Sequence, residues 1–252
     1  MPDIFDLKGR VALVTGASTG IGQAIAVALA GAGADIVAAG RSPADETAEL
    51  VRRAGRGFHG IQVDLNSAVR AGQLAEEAVQ RFGHVDILVN NAGTIRRNEA
   101  LEFTEEDWDA VLDVNLKAVF FLTQAVVRRM LAAGAGGKII NIASMLSFQG
   151  GIRVASYTAS KSAIAGLTRL LANEWAAKGI NVNAIAPGYI ATNNTRALRS
   201  DEARNREILA RIPAGRWGQP GDLGGAAIFL AARASDYVHG TIVPVDGGWL
   251  AR

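Results

Sequence analysis

A tyrosine and a lysine four positions apart are the residues of this chain best suited to acid–base chemistry. Tyr157 and Lys161 would lie on one face of a helix, one turn apart. A free tyrosine has a pKa of about 10, too high for a base at neutral pH, and a nearby ammonium group lowers that value. The spacing therefore predicts that Lys161 makes Tyr157 a usable proton acceptor and donor. Because the same spacing is common on solvated helix faces, this interpretation depends on the elements around it.

A serine supplies a second chemical group. Ser144 follows the apolar run 138–142, so its hydroxyl would lie at the end of a predicted strand. There it can hydrogen-bond a substrate oxygen and stabilise the charge that develops on an alkoxide. The alternative is that Ser144 only caps a helix or shapes a turn.

A glycine-rich turn joins the first predicted strand, 11–14, to the first predicted helix, 21–32. Glycines let the backbone approach a phosphate closely, and the N–H groups at the start of a helix favour an anion. A glycine cluster can also be a tight turn that only packs a helix on a strand. Its position after the first strand predicts instead a site for a dinucleotide pyrophosphate. The residues of this turn are Gly16, Ser18, Thr19, Gly20, Ile21 and Gly22.

The elements that position these groups alternate between short apolar runs and longer amphipathic stretches. The pattern predicts strands at 11–14, 36–39, 61–63, 86–90, 138–142, 181–186 and 242–245. It predicts helices at 21–32, 46–54, 67–82, 105–132, 157–178, 195–210 and 222–232. Such alternation indicates βαβ units and a parallel sheet covered on both faces. We predict one α/β domain over residues 1–252, a Rossmann-like doubly wound sheet of about seven strands with its ligand at their carboxyl ends.

Composition narrows the possible functions. Hydrophobic residues make up 49% of the 252 residues and charged residues 20%, the balance of a globular protein. The chain has no cysteine, which excludes thiolate chemistry and disulfides, and its three scattered histidines do not suggest a metal site. A net charge of +2 without a basic cluster argues against nucleic acid. No uninterrupted apolar run reaches the ~18 residues of a membrane span, and the N-terminus lacks a signal-peptide layout, so we expect a cytoplasmic protein.

Four motifs in one order resemble the short-chain dehydrogenase/reductase family over nearly the whole chain. They are the Gly-x3-Gly-x-Gly turn, Asn90-Asn91-Ala92-Gly93, Ser144 with Tyr157 and Lys161, and Pro187-Gly188. The resemblance implies a nicotinamide-dependent oxidoreductase in which Tyr157 moves the proton. It also implies that Asn115 holds a water that relays protons from Lys161, and that the chain forms a homotetramer.

The same resemblance assigns further residues to the cofactor. Asp64 would contact the adenine side, Asn91 would lie along the dinucleotide, and the 187–192 stretch would contact the nicotinamide carboxamide. Taken alone, Asp64 is equally a helix cap, Asn91 a turn residue and Asn115 a polar helix residue. Besides the glycine-rich turn, Tyr157 and Lys161, the assigned positions are Arg41, Ser42, Asp64, Leu65, Asn91, Ala92, Gly93, Pro187, Gly188, Ile190 and Thr192.

The choice between NAD and NADP depends on the end of the second strand. An acidic residue there would bind the ribose hydroxyls of NAD, but the position holds Gly40, followed by Arg41 and Ser42. Asp35 stands at the opposite end of that strand. Arg41 can pair with a 2′-phosphate, which favours NADP, or can face solvent or adenine. NAD or NADP therefore remains the cofactor prediction.

Arginines near the catalytic residues indicate an acidic substrate, because arginine suits bidentate carboxylate binding. Segments 94–97, 142–153, 186–195 and 246–252 resemble the branch of the family that acts on keto-deoxy sugar acids and is mainly associated with NAD. The predicted substrate residues are Arg96, Ser144, Gln149, Arg153 and Tyr157. Open alternatives are a gluconate 5-dehydrogenase, a 3-oxoacyl-carrier-protein reductase, and a non-catalytic dinucleotide sensor, although sensors typically lose the tyrosine or the lysine.

Overall fold

The computed structural model describes residues 4–65 and 67–252. Within them, the seven strands are β1 Val11–Thr15, β2 Asp35–Gly40, β3 Phe58–Gln62, β4 Ile87–Asn90, β5 Gly137–Ile142, β6 Ile180–Pro187 and β7 Ile242–Val245. The α-helices are α1 Gly20–Gly31, α2 Asp45–Arg53, α3 Ala68–Phe82, α4 Glu105–Leu112, α5 Ala118–Ala132, α6 Ala155–Trp175, α7 Arg196–Ser200, α8 Glu202–Arg211 and α9 Gly224–Ala231. Each predicted strand is present, with bounds shifted by up to three residues.

The strands form one parallel sheet in the order β3-β2-β1-β4-β5-β6-β7. The order reverses between β1 and β4, which pair in register with Leu13 opposite Leu88. At such a switch point the loops after the two strands diverge and leave a crevice at their carboxyl ends. The crevice lies between the glycine-rich turn after β1 and the Asn91-Ala92-Gly93 turn after β4. The predicted Rossmann-like fold is confirmed, and the crevice lies at the edge of the sheet where the ligand is expected.

The alternation of side chains along β1 explains how the sheet is covered. Ala12 and Val14 belong to a buried cluster with Ile25 and Leu29 of α1. Val11 and Leu13 face the other side, in a cluster that includes Leu74 of α3 and Leu122 of α5. All five residues of β1 are buried, because helices pack on both faces. Burying one such aliphatic side chain contributes about 1.5–3 kcal/mol, so both layers hold the strand ends in place.

Two predicted helices differ from the structure. The stretch 105–132 is interrupted by a π-helical turn, Asp113–Lys117, between α4 and α5. The stretch 195–210 is divided into α7 and α8 at Asp201, which has an extended backbone and whose carboxylate accepts the Arg204 N–H at 3.1 Å. Aspartate in this position begins a new helix because its side chain satisfies a free N–H group.

One helical stretch in the described part of the chain, Glu105–Ala132, is long and apolar enough on average to cross a membrane. The sequence expectation had considered only uninterrupted apolar runs. Leu122, Val126 and Met130 of this stretch are buried against the sheet and α3. The core helix of a globular protein passes the same test of length and composition, and these contacts are those of a core helix.

Candidate active site

The predicted catalytic side chains come together at the carboxyl end of β5. Ser144 follows that strand, and Tyr157 lies in the first turn of α6. The Ser144 hydroxyl is close enough to the Tyr157 phenol to lower its pKa, and both residues line the same groove. The Lys161 ammonium lies one helical turn further, 5.6 Å from the centre of the Tyr157 ring, and donates to the Ile142 carbonyl at 2.6 Å. A proton-transfer group, a hydroxyl donor and a cation therefore share one site.

The protonation of this group differs from the sequence expectation. Desolvation raises the pKa of Tyr157 above its ordinary value, while the Ser144 hydrogen bond and the Arg97 charge lower it. The predicted lowering by Lys161 is therefore wrong for the protein alone. Burial also lowers the pKa of Lys161 to about 8, which weakens its hold on a positive charge. Removal from water disfavours both charged forms, and the neutral phenol predominates.

Asn115 is held by an unusual backbone. It lies in the π-helical turn Asp113–Lys117, a conformation that is rare and frequent at functional sites. Its Oδ1 accepts the Thr94 N–H at 2.8 Å, and its Nδ2 donates to the Thr94 carbonyl at 2.9 Å. Nδ2 also lies 3.3 Å from Oγ of Ser160, the residue next to Lys161. The side chain therefore ties the loop after β4 to α6, and this part of its role could not be read from the sequence.

The glycine-rich turn fits a dinucleotide. Gly16 and Gly20 have φ values of +65° and +61°, in the left-handed region that favours glycine. A Cβ atom on Gly22 would lie 2.2 Å from the Gly16 carbonyl oxygen, so no larger residue can occupy that position. Thr19 precedes α1 without a capping hydrogen bond from its side chain. The first N–H groups of α1 are therefore left for an anion, which the helix dipole also favours.

A groove with a volume of about 800 Å³ begins at this turn and runs along the switch point. Ile190, which the sequence assigned to the cofactor, does not line the groove, because its side chain is buried in the core. The others line the groove: Gly16, Ser18, Thr19, Gly20, Ile21, Gly22, Arg41, Ser42, Asp64, Leu65, Asn91, Ala92, Gly93, Tyr157, Lys161, Pro187, Gly188 and Thr192.

The end of β2 carries a free cation. Arg41 is exposed beside the groove, and its carbonyl accepts the Gln62 amide at 2.8 Å. Asp35 is at the opposite end of β2, paired with Arg56 at 2.9 Å. Among the described residues, Arg41 takes part in none of the ion pairs. Its charge is thus available to a ligand in the groove.

A second cavity, with a volume of about 950 Å³, meets the groove at Ser144, Tyr157 and Gly188. Gln149 and Arg153 line it, as expected for substrate residues. Arg96 does not, because it pairs with Asp107 at 3.0 Å and lines the groove. Arg96 therefore lies on the groove side of the junction between the two spaces.

The cavity also contains groups beyond the predicted substrate residues. Arg97 lines it, and its charge acts on Tyr157. Trp249 and Arg211 both donate to Oε1 of Gln149, at 3.2 and 3.4 Å. These two bonds fix the orientation of the amide and leave its Nε2 group as a hydrogen-bond donor for a ligand. The guanidinium of Arg211 lies 4.1 Å from the centre of the Trp249 ring. A substrate here would meet cations and hydrogen-bond donors, as an acid or a sugar requires.

The fold and the site together define the class of protein. The family model described as short chain dehydrogenase matches residues 10–203. The chain belongs to this family. In the described part of the chain, no group of three or more His, Asp or Glu side chains could hold a metal ion.

Relatives that match nearly the whole chain indicate a class of substrate for the comparison. The chain is 61% identical over 248 residues to 2-dehydro-3-deoxy-D-gluconate 5-dehydrogenase of Escherichia coli, covering 98% of both chains. It is 59% identical over 251 residues to the enzyme of that name from Bacillus subtilis, covering 99% of this chain and 98% of the relative. A crystal structure from Agrobacterium tumefaciens, described as a 2-deoxy-D-gluconate 3-dehydrogenase with bound NADP, has a TM-score of 0.94 and 60% identity. That comparison covers 99% of this chain and 100% of the other.

Proposed function

We propose that the chain is an NAD(P)-dependent dehydrogenase that interconverts a hydroxyl and a keto group of a deoxy sugar acid, of the 2-dehydro-3-deoxy-D-gluconate 5-dehydrogenase type. The observation that carries the proposal is the position of Tyr157 and Ser144, where the dinucleotide groove meets a cavity that contains arginines. Relatives with this name share about three fifths of the sequence over nearly the full chain. A dinucleotide sensor would not need this catalytic group.

Residues of the chain move the proton and orient the substrate. Ser144 and Tyr157 both hydrogen-bond the reacting oxygen of the substrate, and Tyr157 gives or takes its proton. In ketone reduction the raised pKa of Tyr157 keeps a proton on the phenol for donation. In alcohol oxidation the Ser144 hydrogen bond and the Arg97 charge favour the phenolate. When bound, the nicotinamide would supply the hydride donor or acceptor.

Asn115 and Lys161 complete the arrangement. Lys161 lies between the Ile142 carbonyl and the Tyr157 ring, where it also reaches the groove. The π-helical turn that holds Asn115 leaves backbone groups outside the regular helical ladder, which suits a water that relays protons from Lys161. This arrangement lets the proton that Tyr157 takes leave the buried site.

A panel of substrates tests the function. Purified protein would be assayed with keto-deoxy sugar acids, gluconate, 5-ketogluconate and a 3-oxoacyl thioester, each with NAD and NADP, by nicotinamide absorbance. We expect the highest kcat/KM with a keto-deoxy sugar acid. Preference for gluconate or for the thioester would move the chain to another branch of the family, and no turnover with any compound would favour the sensor.

The first mutational prediction concerns the choice of cofactor. Arg41→Ala should weaken NADP binding by about tenfold or more and leave NAD binding nearly unchanged, because only NADP carries the 2′-phosphate that the guanidinium would bind. Dissociation constants of both cofactors, measured by titration, check this result. The matched control is Arg53→Ala, which removes an exposed arginine of α2. Equal weakening of both cofactors would show that Arg41 does not bind the phosphate.

The second prediction concerns assembly and location. We expect a homotetramer, supported by the exposed apolar side chains Trp108, Leu131 and Leu170 on the long helices and by β7 at the edge of the sheet. Trp249 is buried within its own subunit and therefore does not support an interface. Light scattering at micromolar concentration should give four times the chain mass, and a monomer would contradict the prediction. We place the enzyme in the cytoplasm, where dinucleotides are supplied.

A further inference from the structure

Arg199, on the short helix α7, carries a charge that the catalytic arrangement does not use. Its Nη2 donates to the Thr192 carbonyl at 3.0 Å. Its Nε is buried and has no hydrogen-bond partner. Within residues 4–65 and 67–252, none of the ion pairs includes Arg199. A guanidinium in this state lacks both a counter-charge and one hydrogen-bond acceptor.

An unpaired buried N–H group and an uncompensated charge are both costly, so they indicate a ligand that supplies what is missing. The missing partner must be an anion with oxygen acceptors. Arg199 lines the dinucleotide groove. The arginines in the lining of the substrate cavity are different ones: Arg97, Arg153, Arg204 and Arg211. The position of Arg199 in the groove and outside the cavity favours a phosphate of the cofactor as that anion.

The location of Arg199 selects one part of the cofactor. A Cβ atom on Gly20 would lie 3.6 Å from Cγ2 of Thr192, so the residue that holds Arg199 stands over the start of α1. A helix N-terminus supplies roughly half a positive charge, whereas a pyrophosphate carries two negative charges. A full positive charge facing this turn would neutralise more of the pyrophosphate charge than the helix N-terminus does alone. Arg41, after β2, lies in a different part of the groove, where the 2′-phosphate of NADP would be.

We propose that Arg199 binds the pyrophosphate of the dinucleotide from the side opposite the glycine-rich turn. The proposal rests on the dinucleotide binding in the proposed function and is independent of the sugar acid. Thr192 holds the guanidinium at one nitrogen and leaves Nε for a phosphate oxygen. The cation serves NAD and NADP equally, because both contain the pyrophosphate.

Direct binding measurements without substrate test this role. Arg199→Gln should raise the dissociation constants of NADH, NADPH and ADP-ribose by a similar factor, about tenfold to a hundredfold, as expected for the loss of a charged hydrogen bond. Nicotinamide fluorescence reports the first two ligands and calorimetry the third. The affinity for adenosine, which lacks the pyrophosphate, should not change. Arg199→Lys, which retains the charge, should recover part of the loss.

Two comparisons separate this role from a structural one. Arg196→Gln, an exposed arginine on the same helix that bonds Asn193, is the matched control and should bind all ligands as wild type does. Added salt should weaken wild-type binding more steeply than Arg199→Gln binding, because an ion pair is screened. Unchanged affinity in a folded Arg199→Gln protein, or weakening of adenosine to the same extent, would overturn the proposal. A wild-type protein that binds no dinucleotide would instead remove the proposed function, and this inference with it.

Discussion

Tyr157→Phe should lower kcat by about 10²–10⁴-fold, the usual contribution of general acid–base catalysis. The substitution removes only the phenolic oxygen, which is the atom that would give or take the proton. The ring that packs near Lys161 remains, so the site should stay folded. Dinucleotide affinity should change little, because the glycine-rich turn and α1 are untouched. Turnover measured by nicotinamide absorbance, together with a cofactor titration of the same sample, checks both statements.

A second tyrosine gives the matched control. Tyr237 is fully exposed and lies outside the groove and the cavity. Tyr237→Phe should therefore retain wild-type kcat. Near-normal turnover in a folded Tyr157→Phe protein would show that another group moves the proton. Loss of cofactor binding in that protein would show that the phenol mainly supports the groove.

Arg153→Ala should raise KM for a sugar acid by about tenfold to a hundredfold and hardly affect the matching neutral sugar alcohol. A charged hydrogen bond contributes about 1.5–3 kcal/mol, and a carboxylate that leaves water needs a paired cation. Arg153 lines the cavity and has a left-handed backbone, with φ of 61°, a strained state that is concentrated at functional sites. Its ion pair with Glu99 joins side chains that are 59% and 67% exposed, so it is weak and can be exchanged for the substrate.

Other arginines sharpen this test. Arg97→Ala should also weaken the acid, but it removes a charge that acts on Tyr157, so kcat should fall as well. Arg206→Ala, on the exposed face of α8, is the control. Arg96→Ala should not separate acid from neutral substrate, because Arg96 faces the groove. If neither Arg153→Ala nor Arg97→Ala separates the two substrates, the sugar-acid assignment loses its physical basis, while the dehydrogenase assignment remains.

The fold was predictable because its pattern is local. Strand β1 is buried on both faces, its sequence is an almost continuous apolar run, and the glycine-rich turn shows where it ends. The division of the predicted helix 195–210 at Asp201 was not predicted, although aspartate is a common N-cap residue. The π-helical turn at Asp113–Lys117 had no local signal, because its residues would fit an ordinary helix equally well.

The chemistry of the site was predictable by residue type and less so by environment. Tyr157, Lys161 and Ser144 line the same groove, as their spacing predicts, but the pKa of Tyr157 depends on burial, which spacing does not reveal. Arg96 and Arg97 are adjacent in sequence and line different spaces, and only the three-dimensional path of the loop after β4 separates them. Arg199 was missed because its unsatisfied nitrogen is visible only in three dimensions.

The π-helical turn has a consequence for how this site can arise by mutation. Such a turn contains one residue more than an α-helical turn. Removing that residue would join α4 and α5 into a plain helix whose buried faces keep their relative orientation, but the Asn115 amide would lose its bonds to Thr94. Insertion of one codon into an ordinary helix that already carries the asparagine would therefore create this turn. The scaffold can gain the feature in one step, without repacking its core.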